Sequence, residues 1–173
     1  VNKAVIISII VILIGILLRF APHAPNFTPV AAIALFGAVY LNKRAALIAP
    51  LILMVISDAV LGLHNVVLFT WLGFIASTFI GFWAKKHKSV SSIAGAGVIS
   101  SVIFFIISNF GVWLMGWYPH TLKGLSDCFI MALPFLRNFT LATLVYSAAF
   151  FGIFEAARYL VKDKTIAKAL LTV

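Results

Sequence analysis

Charge is what this sequence has least of. Charged residues make up 10% of the chain, and only four of them are acidic. Soluble domains carry about 25% charged and 45–50% apolar residues. Here the hydrophobic share is 64%. That balance excludes a soluble fold and gives an all-α, polytopic membrane protein, with residues 1–173 as one domain. Cysteine is nearly absent too. The lone Cys128 excludes an intramolecular disulfide framework and a CxxC zinc site. No HExxH, GxSxG or phosphate-binding glycine loop occurs. The sequence therefore offers no paired nucleophile and base and no nucleotide-hydrolysis machinery. The net charge of +9 would suggest nucleic acid in a soluble protein. In this chain it reads as basic residues gathered at one membrane face, and nucleic acid is not an expected partner.

What the chain has is long apolar runs. A spanning helix needs roughly 20 mostly apolar residues. Six stretches come near that: 4–20, 29–41, 45–63, 66–84, 92–116 and 136–161. The second is short and crosses only if the bilayer thins or Pro29 starts a buried half-helix. Between the last two lies YPHTLKGLSDCFIMALP, read as a short half-helix at the surface, stopped by Pro134. A rival reading makes the first stretch a signal peptide, with Lys3 as its charged start and a small-residue site near Ala21 or Ala24. Arg19 speaks against it, because a cleavage region is normally neutral.

Six spans put both termini on one side. That side then carries ten of the thirteen Lys and Arg: Lys3, Lys43, Arg44, Lys85, Lys86, Lys88, Arg158, Lys162, Lys164 and Lys168. The other side carries Arg19, Lys123 and Arg137. The positive-inside rule makes the basic side cytoplasmic, so the expectation is an N-in/C-in membrane protein.

Polar chemistry concentrates on the opposite side. RFAPHAPNFTP, residues 19–29, holds three prolines, a histidine, an asparagine and an arginine. Its prolines fix φ and stiffen the segment. Thr28 before Pro29 resembles an N-cap. The segment either forms one wall of a pocket or only joins two helices. Asp58 lies about five residues, or about 7 Å, from the outer end of the third stretch. An intramembrane carboxylate is costly and is paired or functional, and Arg19 and Arg137 are the candidate partners. Asn109 and Asn138 can bond a ligand or a neighbouring helix. His23, His64 and His120 fall one in each outer connection. Convergence on a metal would need Asp127 or Cys128 nearby, and no local spacing supports it; no metal or cofactor is assigned. Trp113, Trp117 and Tyr118 form either an interfacial belt or a stacking surface. Small residues recur every four positions at Gly73/Ser77/Gly81, Ala148/Gly152/Ala156, Ala34/Ala38 and Ala45/Ala49. Such stripes pack helices together or dock a partner.

The phrases RFAPHAPNFTPVAAIALFGAVYL, LILMVISDAVLGLH and SNFGVWLMGWYPHTLKGL resemble a family of small bacterial membrane proteins usually grouped with the substrate-binding S components of energy-coupling factor (ECF) transporters. The likeness runs from Arg19 to Gly152. It implies an S-component-like bundle that captures a small solute, typically a vitamin or a metal ion. It further implies docking on a transmembrane coupling subunit driven by cytoplasmic ATPases. The chain departs from that pattern in two places. Its first helix offers only Ala4 and Ser8 for the usual AxxxA docking motif, which Ala34 and Ala38 match better. The histidine-containing start of metal-specific members is missing. The expectation is a non-enzymatic binding subunit for uptake of a small organic solute. Arg19, His23, Asn26, Asp58, His64, Asn109, Trp113, Tyr118 and Asn138 are its candidate binding residues. The competing reading is a structural or accessory subunit of a larger membrane complex. A membrane enzyme using Asp58 and the outer histidines comes third.

Overall fold

The computed structural model describes residues 3–160. Lys162, Lys164, Lys168 and the last residue of the expected sixth span lie outside the described residues. Among the described residues seven helices follow one another: α1 Lys3–Phe20, α2 Val30–Tyr40, α3 Lys43–Leu61, α4 Val67–Lys86, α5 Val90–Leu114, α6 Leu122–Met131 and α7 Leu133–Leu160. No strand occurs among the described residues. Among the described residues four helices are long and apolar enough to cross a membrane: Lys43–Leu61, Val67–Lys86, Val90–Leu114 and Leu133–Ala156. Two shorter apolar helices, Ile9–Phe20 and Val30–Tyr40, accompany them. Large apolar side chains cover the outside of the bundle, among them Leu17, Val60, Val145 and Ile153. Water would not tolerate such a surface, whereas lipid tails do.

The short α2 occupies the centre. Residues from Val30 to Val39 are all buried, and α2 packs on α3, α4 and α7. A helix apolar on every side must be buried on every side. At about 1.5 Å per residue its 11 residues reach only about 16 Å. Small residues admit it. A Cβ added at Gly81 of α4 would lie 2.5 Å from Ala38 Cβ and 3.1 Å from Leu35 Cα. The stripes on α2 and α4 therefore serve internal packing. The stripe on α7 differs, for Ala148, Gly152 and Ala156 are exposed.

Contacts between distant residues mark two ends of the bundle. At one end Lys85 Nζ reaches the Leu41 carbonyl at 3.5 Å, Lys88 lies 4.6 Å over the Tyr40 ring, and the Tyr40 hydroxyl donates to Glu155. Lys43 and Arg44 begin α3 at this basic end. At the other end, rich in loops, Asn138 Nδ2 donates to the Pro25 carbonyl at 3.1 Å and Trp117 Nε1 donates to Asn65 Oδ1 at 3.1 Å.

Two local expectations are corrected. Thr28 does not cap α2. Pro29 occupies the cap position with no side-chain hydrogen bond, and Thr28 Oγ1 is buried without a partner. Pro134 does not stop α6. It sits in the first turn of α7, where its missing N–H would have no intrahelical acceptor anyway. The break falls at Ala132, one residue before α7.

Candidate functional site

The 19–29 connection is a folded turn. Phe27 N–H bonds the Ala24 carbonyl at 2.9 Å, and Thr28 N–H bonds the Asn26 carbonyl at 3.0 Å. Asn26 adopts φ 60°, a left-handed conformation that asparagine tolerates better than most residues. The bond from Asn138 on α7 to Pro25 ties this turn across the mouth of the bundle. Opposite it, the 115–121 connection is held by its own bonds. Trp113 Nε1 donates to the Pro119 carbonyl at 3.0 Å, and His120 Nε2 lies 3.0 Å from the Trp113 carbonyl. Thr121 caps α6 by accepting from Gly124 N–H at 3.0 Å. Gly124 lets the Pro119 carbonyl approach so closely that a Cβ would strike it.

Between these two loops opens a cavity of about 550 Å3. Asn26, His64, Trp117 and Tyr118 frame it at the loop-rich end. One face of α5 forms a wall, with Phe104, Phe105, Ser108, Asn109 and Val112 at spacings i, i+1, i+4, i+5 and i+8. Thr70 of α4, Cys128 and Met131 of α6, and Phe135 and Leu136 of α7 complete it. The deepest part is aromatic: Phe104 stacks on Phe139 at 4.3 Å between centroids, and Phe74 packs on Phe104 at 4.7 Å. Most of the lining is apolar, and no Lys, Arg, Asp or Glu lines it.

The polar groups of the wall are partly engaged. Ser108 Oγ donates to the Phe104 carbonyl at 2.8 Å, and Asn109 Nδ2 donates to the Phe105 carbonyl at 2.8 Å. Ser108 keeps acceptor lone pairs, and Asn109 keeps a second amide proton and its carbonyl oxygen. Cys128 Sγ lies 3.4 Å from the Asn109 carbonyl. Burial pushes its thiol above the ordinary value, so it is a poor nucleophile at neutral pH. Among the described residues no group of three or more His, Cys, Asp or Glu could hold a metal ion.

A separate polar cluster lies on the other side of α4. Arg19 of α1 donates to Asp58 Oδ1 at 2.5 Å and to Met54 Sδ at 3.1 Å. Trp71 Nε1 donates to Asp58 Oδ2 at 2.9 Å. Asp58 is 1% exposed, so both of its oxygens are taken in a dry setting. Successive helical residues point about 100° apart. Thr70 can therefore line the cavity while Trp71 turns to the carboxylate.

Of the nine candidate residues, the cavity gathers Asn26, His64, Asn109 and Tyr118. Arg19 and Asp58 pair with each other, and Arg137 is not their partner. His23 is exposed beside the Ala24 carbonyl, Trp113 braces a loop, and Asn138 ties another. Thr70, Ser108 and the phenylalanine floor line the cavity without having been candidates, while Trp117, weighed above as belt or stacking surface, and Cys128, weighed above only beside a metal, line it too. The α5 residues among them share one helical face with Asn109, and that periodicity was the available signal.

Residues 1–166 match one known family. The chain belongs to the DUF6580 family, described as a family of unknown function. No curated protein and no solved structure matches the chain. For this DUF6580 member the geometry of the site is therefore what bears on function.

Proposed function

We propose that this DUF6580 protein is a membrane-embedded binding subunit that captures a small, largely apolar organic solute in the cavity beneath its loop-rich end. The cavity is the observation that carries the reading. Its 550 Å3 falls within the roughly 300–1,000 Å3 of small-molecule sites, which pair an apolar lining with a few polar groups. Phe105 and Phe135, the lining phenylalanines that keep exposed surface, would stack a planar portion of the solute. Asn26, His64, Asn109 and Tyr118 would fix its polar edge. The uncharged lining favours a neutral solute over an ion, because a charge buried there would lack a counter-charge.

In this reading six helices cross a bacterial inner membrane, and the basic end with both termini faces the cytoplasm. The loop-rich end then faces the source of solute. The chain itself performs no catalysis. Uptake would need a partner, and a transmembrane coupling subunit with cytoplasmic ATPases is the class that suits an S-component-like chain.

The test pairs binding with a filled cavity. Purified wild-type protein and Ser108→Phe are screened for melting-temperature shifts against a panel of vitamin-sized neutral solutes. The proposal expects at least one solute to raise the wild-type melting temperature and none to move the variant, with both proteins equally stable alone. Equal shifts in both would place binding elsewhere and defeat the reading.

A further inference from the structure

A second cavity, of about 500 Å3, opens at the basic end between α5 and α7. Its apolar floor comes from Ile93 and Ala94 of α5 and from Leu144, Ala148, Phe151 and Gly152 of α7. None of the described residues fills it at Gly152, where an added Cβ would meet no atom within 4 Å. Its mouth is polar, framed by Lys88 and Ser89 before the first turn of α5 and by Tyr40 and Glu155. Lys85 and Lys86 are exposed at the end of α4 nearby. Among the described residues Lys88 and Glu155 are the charged groups of the lining, and Lys85 and Lys86 nearby tip the surroundings toward positive charge. Ser89 caps the 25-residue α5 by accepting from Ser92 N–H and bonds the Ser91 and Ser92 hydroxyls, which leaves the Val90 and Ser91 N–H groups of the first turn without intrahelical acceptors.

Four buried side-chain atoms lack a hydrogen-bond partner among the described residues, and one of them belongs to this groove. Ser147 lines the groove, is 3% exposed, and its Oγ has no hydrogen-bond partner. Buried hydroxyls are normally bonded, because leaving one unpaired costs about 1–3 kcal/mol. Its depth follows from packing. Gly97 of α5 lies opposite Leu144 of α7, with 3.3 Å from an added Cβ to Leu144 Cδ2. The helices run antiparallel, so Ser147 lies level with Ala94. That is four residues, or about 6 Å, inside the start of α5. A phospholipid presents its ester carbonyl at about that remove below its phosphate, at the edge of the hydrocarbon.

We propose that the α5/α7 groove is a binding site for an anionic phospholipid of the leaflet at the basic end. The phosphate lies against Lys88 and the first turn of α5, with Lys85 and Lys86 adding long-range attraction. Ser147 Oγ donates to an ester carbonyl. The headgroup and glycerol pass Gly152 at the mouth, and one acyl chain runs from the level of Ile93 and Ala148 past Leu144 and Gly97. From the first turn of α5 to Gly97 is seven residues, or about 10 Å.

Native mass spectrometry of the full chain, titrated with phosphatidylglycerol or phosphatidylcholine of identical acyl chains, tests this. The wild type is expected to retain phosphatidylglycerol at least tenfold better. Lys86→Gln with Lys88→Gln should erase the preference. Ala148→Phe and Gly152→Phe, both at open positions, should each remove the adduct while melting temperature is kept. Equal retention of the two lipids by the wild type overturns the proposal. So does displacement of the lipid by inorganic phosphate alone, which would make the phosphate the ligand. A second membrane chain that co-purifies in place of lipid and is lost in Gly152→Phe would assign the groove to a protein and overturn it as well.

Discussion

Replacing Asp58 with alanine removes one carboxylate that Arg19 and Trp71 share. The Arg19 side chain is 16% exposed, and its Nε is already buried without a partner. Most of its guanidinium surface is packed against the protein in the last turn of α1. Breaking a buried ion pair from one side costs about 3–5 kcal/mol, chiefly by stranding the remaining charge. The Trp71 indole N–H, left without its acceptor, adds to the loss. Asp58→Asn strands the Arg19 charge as well and turns an NH2 toward one of the two donors, so its loss should also fall at about 3–5 kcal/mol, eased only by the one bond its carbonyl oxygen still accepts. The pair of changes Arg19→Met with Asp58→Leu should recover most of the Asp58→Ala loss, because no charge is then stranded. Reversible unfolding in mixed micelles, followed by helicity against the mole fraction of denaturing detergent, supplies the free energies. Two results would refute the reasoning: an Asp58→Ala loss below about 1 kcal/mol, or a double variant no better than the single one. Either would mean that water reaches Arg19.

Gly81→Ala should destabilise by about 1–3 kcal/mol in the same assay, since its Cβ meets Ala38 Cβ at 2.5 Å and the Leu35 backbone. Gly95→Ala, with nothing within 4 Å, should instead be neutral or stabilise by up to about 1 kcal/mol. Cys128 reports on the solute cavity. Its raised thiol should make maleimide labelling slow near neutrality and still climbing at pH values where a free cysteine has levelled off, as labelling rate against pH will show. A cavity-bound solute should slow that labelling further. Ser108→Phe should weaken solute binding at least tenfold, or about 1.4 kcal/mol, in equilibrium binding.

The helices were legible because long apolar runs leave little else for the chain to do. The boundaries of α3, α4 and α5 fall within about two residues of those expected. The short second stretch was legible as the odd one out. Its place at the centre was not, because a helix that is apolar all round points in no direction. The Arg19–Asp58 pair was legible because a charge at that depth needs a counter-charge. Trp71 was not, since a tryptophan near a helix end reads as an interfacial anchor. Thr28 and Pro134 show the limit of local rules. Each sits at a junction where packing of neighbouring helices decides which residue begins the helix. The cavity floor was hidden for a related reason: Phe104 and Phe139 are ordinary core residues in a sequence with 16 phenylalanines. Only their meeting across α5 and α7 makes them a surface. The asparagines carried a clearer signal. Asn109 lines the cavity and Asn138 ties the loop beside it.

The most direct test of the central claim is native mass spectrometry of the wild type and Ser108→Phe, both extracted in mild detergent from cells grown in rich medium. The account predicts a bound mass the size of a vitamin on the wild type and none on the variant, with lipid adducts equal on both. The same adduct on both proteins, or no solute on the wild type under any growth condition that supports its expression, would contradict it.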